Sequence, residues 1–104
     1  GGFQVISGVS VTFRFAGVSF GKAIVVFGEQ VVRVASSSFD RSAIRTMFGV
    51  DQSQASLVAS DLATRALRVA GHFRALGGRY PFSLDPETRI EANVVEINPD
   101  LLPQ

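Results

Sequence analysis

One stretch constrains this chain more than any other: Asp51 to Gly78, DQSQASLVASDLATRALRVAGHFRALGG. Wound at 100° per residue, it puts Ala55, Val58, Ala59, Leu62, Ala66, Val69, Ala70, Phe73 and Leu76 on one broad side. Ser60, Asp61, Thr64, Arg65, Arg68 and His72 fall on the other. A repeat this long specifies an amphipathic α-helix of roughly 25 residues, a rod of about 38 Å at 1.5 Å per residue. Its ends are punctuated. Asp51 is placed to accept backbone N–H bonds as an N-cap, and Gly77-Gly78 can take the left-handed conformation that closes a helix. The apolar side has two characters. Val58, Leu62, Val69, Phe73 and Leu76 are bulky, whereas Ala59, Ala63, Ala66 and Ala70 form a smooth ridge at spacings of three and four. Bulky side chains fill a core; an alanine ridge lets another backbone come close.

The residues before the helix change to a period of two. Val9, Val11, Phe13 and Phe15 alternate with Ser10, Thr12, Arg14 and Ala16, the signature of a strand with one wet face. Glycines at 8, 17 and 28 divide the region from Phe3 to Ser36 into about four strands joined by tight turns, which gives an antiparallel meander. Gly21, beside Lys22, interrupts the third of these and points to a bulge or register switch. The run AIVVF at 23–27 is apolar on both faces, so its strand is either central or covered twice, once by the helix and once by something else: another copy of the chain, or the loop at 36–42 lying over Val25 or Phe27.

Ser36, Ser37 and Ser38 read as a loop, after which Asp40 caps a short helix, DRSAIRTMF, that ends at Gly49. Beyond Gly78, Pro81 and Pro86 break any helix, with Asp85-Pro86-Glu87 a turn. IEANVVEI at 90–97 returns to a strand, with Ile90, Ala92 and Val94 towards the core and Glu91 and Asn93 towards water. The tail NPDLLPQ keeps two apolar residues, Leu101 and Leu102, for docking on a neighbour or for fraying. Strands grouped before helices specify an α+β fold: an antiparallel β-meander of about four strands plus a C-terminal strand, packed on one long α-helix preceded by a short helix.

With 104 residues, 46% of them apolar and nine of them Phe, the chain makes one domain with one core, residues 1–104. It opens on Gly1-Gly2, which fits a domain excised from a longer protein as well as a processed chain. No run of 18 apolar residues and no basic, then apolar, leader is present, so the expectation is a soluble domain without a membrane partner, the cytoplasm favoured. The absence of Cys removes disulfides, thiolate nucleophiles and Cys-based zinc sites. A net charge of +1 supplies no long-range field towards nucleic acid or anionic lipid.

Chemistry-bearing patterns are few. His72 is the only His, so no His cluster can hold a metal, and no carboxylate or nucleophilic Ser is placed to work with it. Glu91 and Glu96 fall on opposite faces of their strand and make no acid–base pair. Arg65, Arg68 and His72 share a polar strip, with Asp61 four residues before Arg65 in ion-pair spacing. Tyr80-Pro81-Phe82 sets two aromatics in a rigid loop of the kind frequent at interfaces.

The junction SAIRTMFGVDQSQASLV resembles a helix-turn-helix over about 18 residues: Ile44, Phe48, Val50, Ala55 and Val58 fit the inner sides of two helices, with Gly49 in the turn. That resemblance implies Gln52, Ser53, Gln54 and Ser56 facing the major groove and Arg41 and Arg45 near phosphates, although Arg45 stands where the usual unit prefers a small residue. The primary expectation is different. With no catalytic group assembled and no cofactor implied, the chain reads as a non-enzymatic assembly or adaptor module. It would associate with itself or dock on a larger protein through Ala59, Ala63, Ala66 and Ala70 or through Tyr80 and Phe82, with nucleic acid as the alternative partner.

Overall fold

The structure is a computed structural model and describes residues 6–28, 32–75, 82–83 and 88–98. The elements in chain order are β1 (Ile6–Phe15), β2 (Val18–Phe27), β3 (Val32–Phe39), α1 (Arg41–Phe48), α2 (Gln52–Ala75), β4 (Phe82–Ser83) and β5 (Thr88–Ile97). The strands form one antiparallel sheet in the order β3-β2-β1-β5-β4, with both helices on one side of it: the α+β architecture expected from the sequence.

β1 owes its central place to its alternation. Val9, Val11 and Phe13 turn towards the helices and are buried, while Thr12 and Arg14 lie on the opposite, outer face. Gly8 does not break the strand, contrary to its reading as a boundary, so one strand stands where two were expected. It pairs with Val26 on one side and Val95 on the other. An added Cβ there would sit 2.8 Å from the Val25 carbonyl oxygen and 2.9 Å from Ile97 Cδ1, so the glycine answers a close approach instead of a turn. The turn comes at Ala16-Gly17, where φ is 49° and 83°, and positive values at both positions make the tight hairpin whose twist matches its strands.

The bulge expected at Gly21 lies beside it. Gly21 faces Phe13 and Ser19 faces Arg14, leaving Phe20 as the extra residue of β2. On its other edge, β2 pairs Lys22 with Ser38, Ala23 with Ser37 and Ile24 with Ser36. The three serines are therefore the end of β3 and not a loop. Their low strand propensity is overridden because the backbone ladder, not the side chain, holds an edge strand. Phe39 then lays its ring over the bare backbone of Gly21 and meets Phe13, ring centroids 5.6 Å apart, while Phe20 approaches Phe13 at 6.2 Å.

α1 starts at Asp40, whose carboxylate accepts from the Ala43 N–H at 3.0 Å, and stops at Gly49 in the left-handed conformation. α2 follows after Asp51 and spans 24 residues. Its inward side is the one its periodicity named: Ala55, Ala59, Leu62, Ala66, Val69, Ala70 and Phe73 are all buried, and Val58 is half-buried. The helix packs most closely on β3 and β2 and least on β5. That tilt explains Val94, which shares the inner face by register with Val9 yet is 65% exposed, because the helix does not reach it. Leu76, the closing pair Gly77-Gly78, the turn at 85–87 and the tail from 99 lie outside the described residues.

Gly21→Ala would drive a methyl into the Phe39 ring. We expect a loss of about 1–3 kcal/mol in a urea melt, whereas Gly21→Ala combined with Phe39→Leu recovers part of it.

Candidate functional site

The residues proposed from sequence fall in three places. The first is the alanine ridge. Ala59, Ala66 and Ala70 are buried in the protein's own core, among Val25, Leu62, Val69 and Phe73. Ala63 alone is half-buried, at the margin. The close approach that small side chains permit is thus already taken up by β2 and β3 of the same chain, which corrects the expectation that the ridge is open to a second molecule. Of the aromatic loop, Tyr80 lies outside the described residues, and for Phe82 the structure describes the backbone pairing with Ile90 in β4.

The second place is the junction between the helices. Asp51 and Gln54 form a reciprocal capping box: Asp51 Oδ1 accepts from the Gln54 N–H at 2.8 Å, and Gln54 Oε1 accepts from the Asp51 N–H at 3.1 Å. Ser53 Oγ donates to the same Asp51 carboxylate at 2.9 Å, and half-buried Ser56 donates to the Gln52 carbonyl at 3.3 Å. Gln52, Ser53 and Gln54 are exposed, but the polar atoms of Ser53 and Gln54 are engaged in starting the helix. Arg41 and Arg45 are exposed one turn apart on α1. The helix pair packs as the motif requires on its inner side, with Ile44 and Ala55 fully buried, while Phe48 is 42% exposed and reaches the edge of Phe20. Both helices rest on a sheet, and α2 runs far past the junction along it.

The third place is the outer sheet face, which sequence reasoning implied through the doubly apolar run at 23–27 without naming its members. β2 is an interior strand with Ala23 and Val25 buried under α2. Ile24 and Val26 point the other way; across β1 the register sets Val26 opposite Val95 through Gly8 and Ile24 opposite Asn93 through Ser10, with Ile97 reaching in beside Gly8. Val26 is only 4% exposed yet stands outside the core cluster, partly because Ile97 and Val26 close over the bare backbone of Gly8. Further along the same face the character turns polar: Arg14 pairs with Glu91 at 3.1 Å, with Lys22, Arg89 and Asn93 exposed around them. Asp61 and Arg65, spaced for an ion pair on α2, are both exposed and do not close one with each other.

None of these places brings catalytic groups together among the described residues. His72 is exposed on α2, and no three His, Asp or Glu side chains converge there. No described helix is long and apolar enough to cross a membrane.

Two measurements follow from the geometry. Ala66→Glu and Ala70→Glu place a charge in the core and should cost about 3 kcal/mol or more, leaving an unfolded chain by circular dichroism, whereas Ala63→Glu folds. The Asp51 carboxyl is held below its ordinary value of 3.8, chiefly by the Gln54 N–H, then by the Ser53 hydroxyl, with a smaller push from the Arg45 charge. A lowered folded-state value means that its contribution is complete above 3.8 and is lost as pH falls through the folded value. Asp51→Asn keeps a capping side chain, so the variant should show a shallower loss of stability below pH 3.8 than the parent in acid denaturation. Neither a protein-family model, a curated protein nor a solved structure matches this chain.

Proposed function

We propose that this domain is a non-enzymatic protein-contact module and that the outer face of its sheet is the contact surface, occupied by a second copy of the chain. The observation that supports it is the apolar end of that face: Val95 and Ile97 close with buried Val26 round Gly8, and Ile24 follows two residues along β2, so that half-buried Ile24, Val95 and Ile97 offer the apolar surface on the side of the sheet away from both helices. An antiparallel sheet with one wet face ordinarily alternates apolar and polar residues on every strand. β1 and the start of β5 obey that rule; Ile24, Val26, Val95 and Ile97 depart from it together. Two such faces stacked about 10 Å apart would bury apolar area worth roughly 25 cal/mol per Å². The rim fits the same use. A two-fold axis running through the face along the strand direction would bring Arg14, Lys22 and Glu91 of one copy near the polar half of the other.

The nucleic-acid alternative has less behind it, since the side chains meant to read bases are partly engaged in the helix cap and the net charge is +1.

Light scattering on a sizing column, over a range of concentrations, tests the proposal. A dimer mass that Ile24→Glu and Val95→Glu each convert to a monomer mass, with circular dichroism unchanged, is the expected result. A monomer mass at every concentration, or a dimer unaffected by either substitution, would refute it.

A further inference from the structure

A concavity lies on a different surface, at the free edge of the sheet. It has a volume of about 280 Å³ and is lined by Ser37 and Phe39 of β3, Arg41 at the start of α1, and Ser56, Ala59 and Ser60 of α2. Pockets for drug-sized molecules run from about 300 to 1,000 Å³, so this one suits a side chain better than a free metabolite. Ala59, a small and buried residue of α2, is among those lining it where α2 packs on β3.

What makes the cleft more than a dent is the backbone beside it. β3 is the outermost strand, and no described strand pairs with its far edge. The Asp40 N–H donates to the Phe20 carbonyl at 2.8 Å, continuing the β2–β3 ladder by one residue beyond the Phe39–Gly21 pair. In an antiparallel ladder, each residue sends its N–H and C=O the same way, and neighbours alternate. Asp40 and Ser38 therefore bond inward to β2, and the N–H and C=O of Ser37 and Phe39 point outward into the open. Their side chains sit on the helix side, where they line the cleft.

A strand added at this edge would bond to Ser37 and Phe39 and send alternate side chains down between β3 and α2. The cleft also says what one of those side chains should be. Arg41 is exposed and makes no ion pair among the described residues, while the carboxylate of its neighbour Asp40 caps α1. The Ser37 and Ser60 hydroxyls stand nearby as donors, while the Ser56 hydroxyl is turned to the Gln52 carbonyl. A cation flanked by hydroxyl donors selects a carboxylate.

We infer that the edge of β3 and the adjoining cleft bind an extended segment of a partner protein by strand addition, with an acidic side chain of that segment held at Arg41. This surface is separate from the outer sheet face, so it stands or falls independently of self-association.

The test is selection of a phage-displayed random decapeptide library on the folded domain, followed by anisotropy titration of the selected peptides in labelled form. Peptides rich in strand-forming residues and sharing one Asp or Glu should emerge. Arg41→Gln should weaken them about fivefold to tenfold, and replacing their acidic residue by the amide should cost the same and add nothing further in the variant. Ser37→Pro removes one outward N–H without touching the β2–β3 ladder and should abolish binding while circular dichroism stays unchanged. Should that variant not fold, amide chemical shifts of the parent decide, with Ser37, Phe39, Ser56 and Ser60 the residues expected to move. Three results would overturn the inference: no enriched peptides, enriched peptides that bind Arg41→Gln as well as the parent, or shifts confined elsewhere. Displacement of the peptides by inorganic phosphate with equal shifts from phosphate alone would reassign the cleft as a simple anion site and would also count against it.

Discussion

The packing of the buried, alanine-rich side of α2 on β2 and β3 is what the rest of this structure depends on. Ala55, Ala59, Ala66 and Ala70 bring the helix close to one edge of the sheet, and Leu62, Val69 and Phe73 fill the space over the strands further in. Side chains of this size are worth roughly 1.5–3 kcal/mol each when fully buried, so the bulky residues supply most of the drive. The alanines decide where the helix lies. Because it leans towards β3, the far end of β5 stays open above the inner face, and a shallow cleft forms at the edge of β3.

The aromatic cluster at the other end of the helix pair fixes the sheet itself. Phe20 is an extra residue in β2, and Phe39 covers Gly21 next to it, so the bulge turns both rings towards Phe13. α1 closes this end with Ile44 fully buried and Phe48 against Phe20. Chain direction is then set by the caps, Asp40 for α1 and Asp51 for α2, with Gly49 making the reversal between them. Both surfaces proposed for contact follow from this frame: one is the sheet face that the helices leave uncovered, the other the strand edge beside which the helix rests.

Much of the frame was legible in the sequence because it rests on local rules. The start of α2, its buried side, the Asp40 and Gly49 caps, the alternation of β1 and the bulge beside Gly21 each need only a few neighbouring residues to be recognised. The misreadings share a cause. By residue type Gly8 reads as a turn, but its role is set by Ile97, which is remote in the chain. Ser36 to Ser38 have loop-like side chains, but their backbone is captured by β2. The alanine ridge is correctly a close-approach surface; periodicity reveals the ridge and cannot say whose backbone approaches. The cleft has no signature in the sequence, since its residues come from β3, α1 and α2 and carry no shared local pattern.

The functional reading turns on whether the face opposite the helices is the meeting surface of two chains. The absence of native Cys permits single spin labels at chosen positions without background. The decisive measurement is double electron–electron resonance on Asn93→Cys, which lies exposed on the outer face, against Thr64→Cys on the solvent side of α2. Stacked outer faces give a short interspin distance for the Asn93 label, on the order of 20 Å, and a much longer one for the Thr64 label. No dipolar signal from the Asn93 label, or a short distance from the Thr64 label instead, would contradict the account.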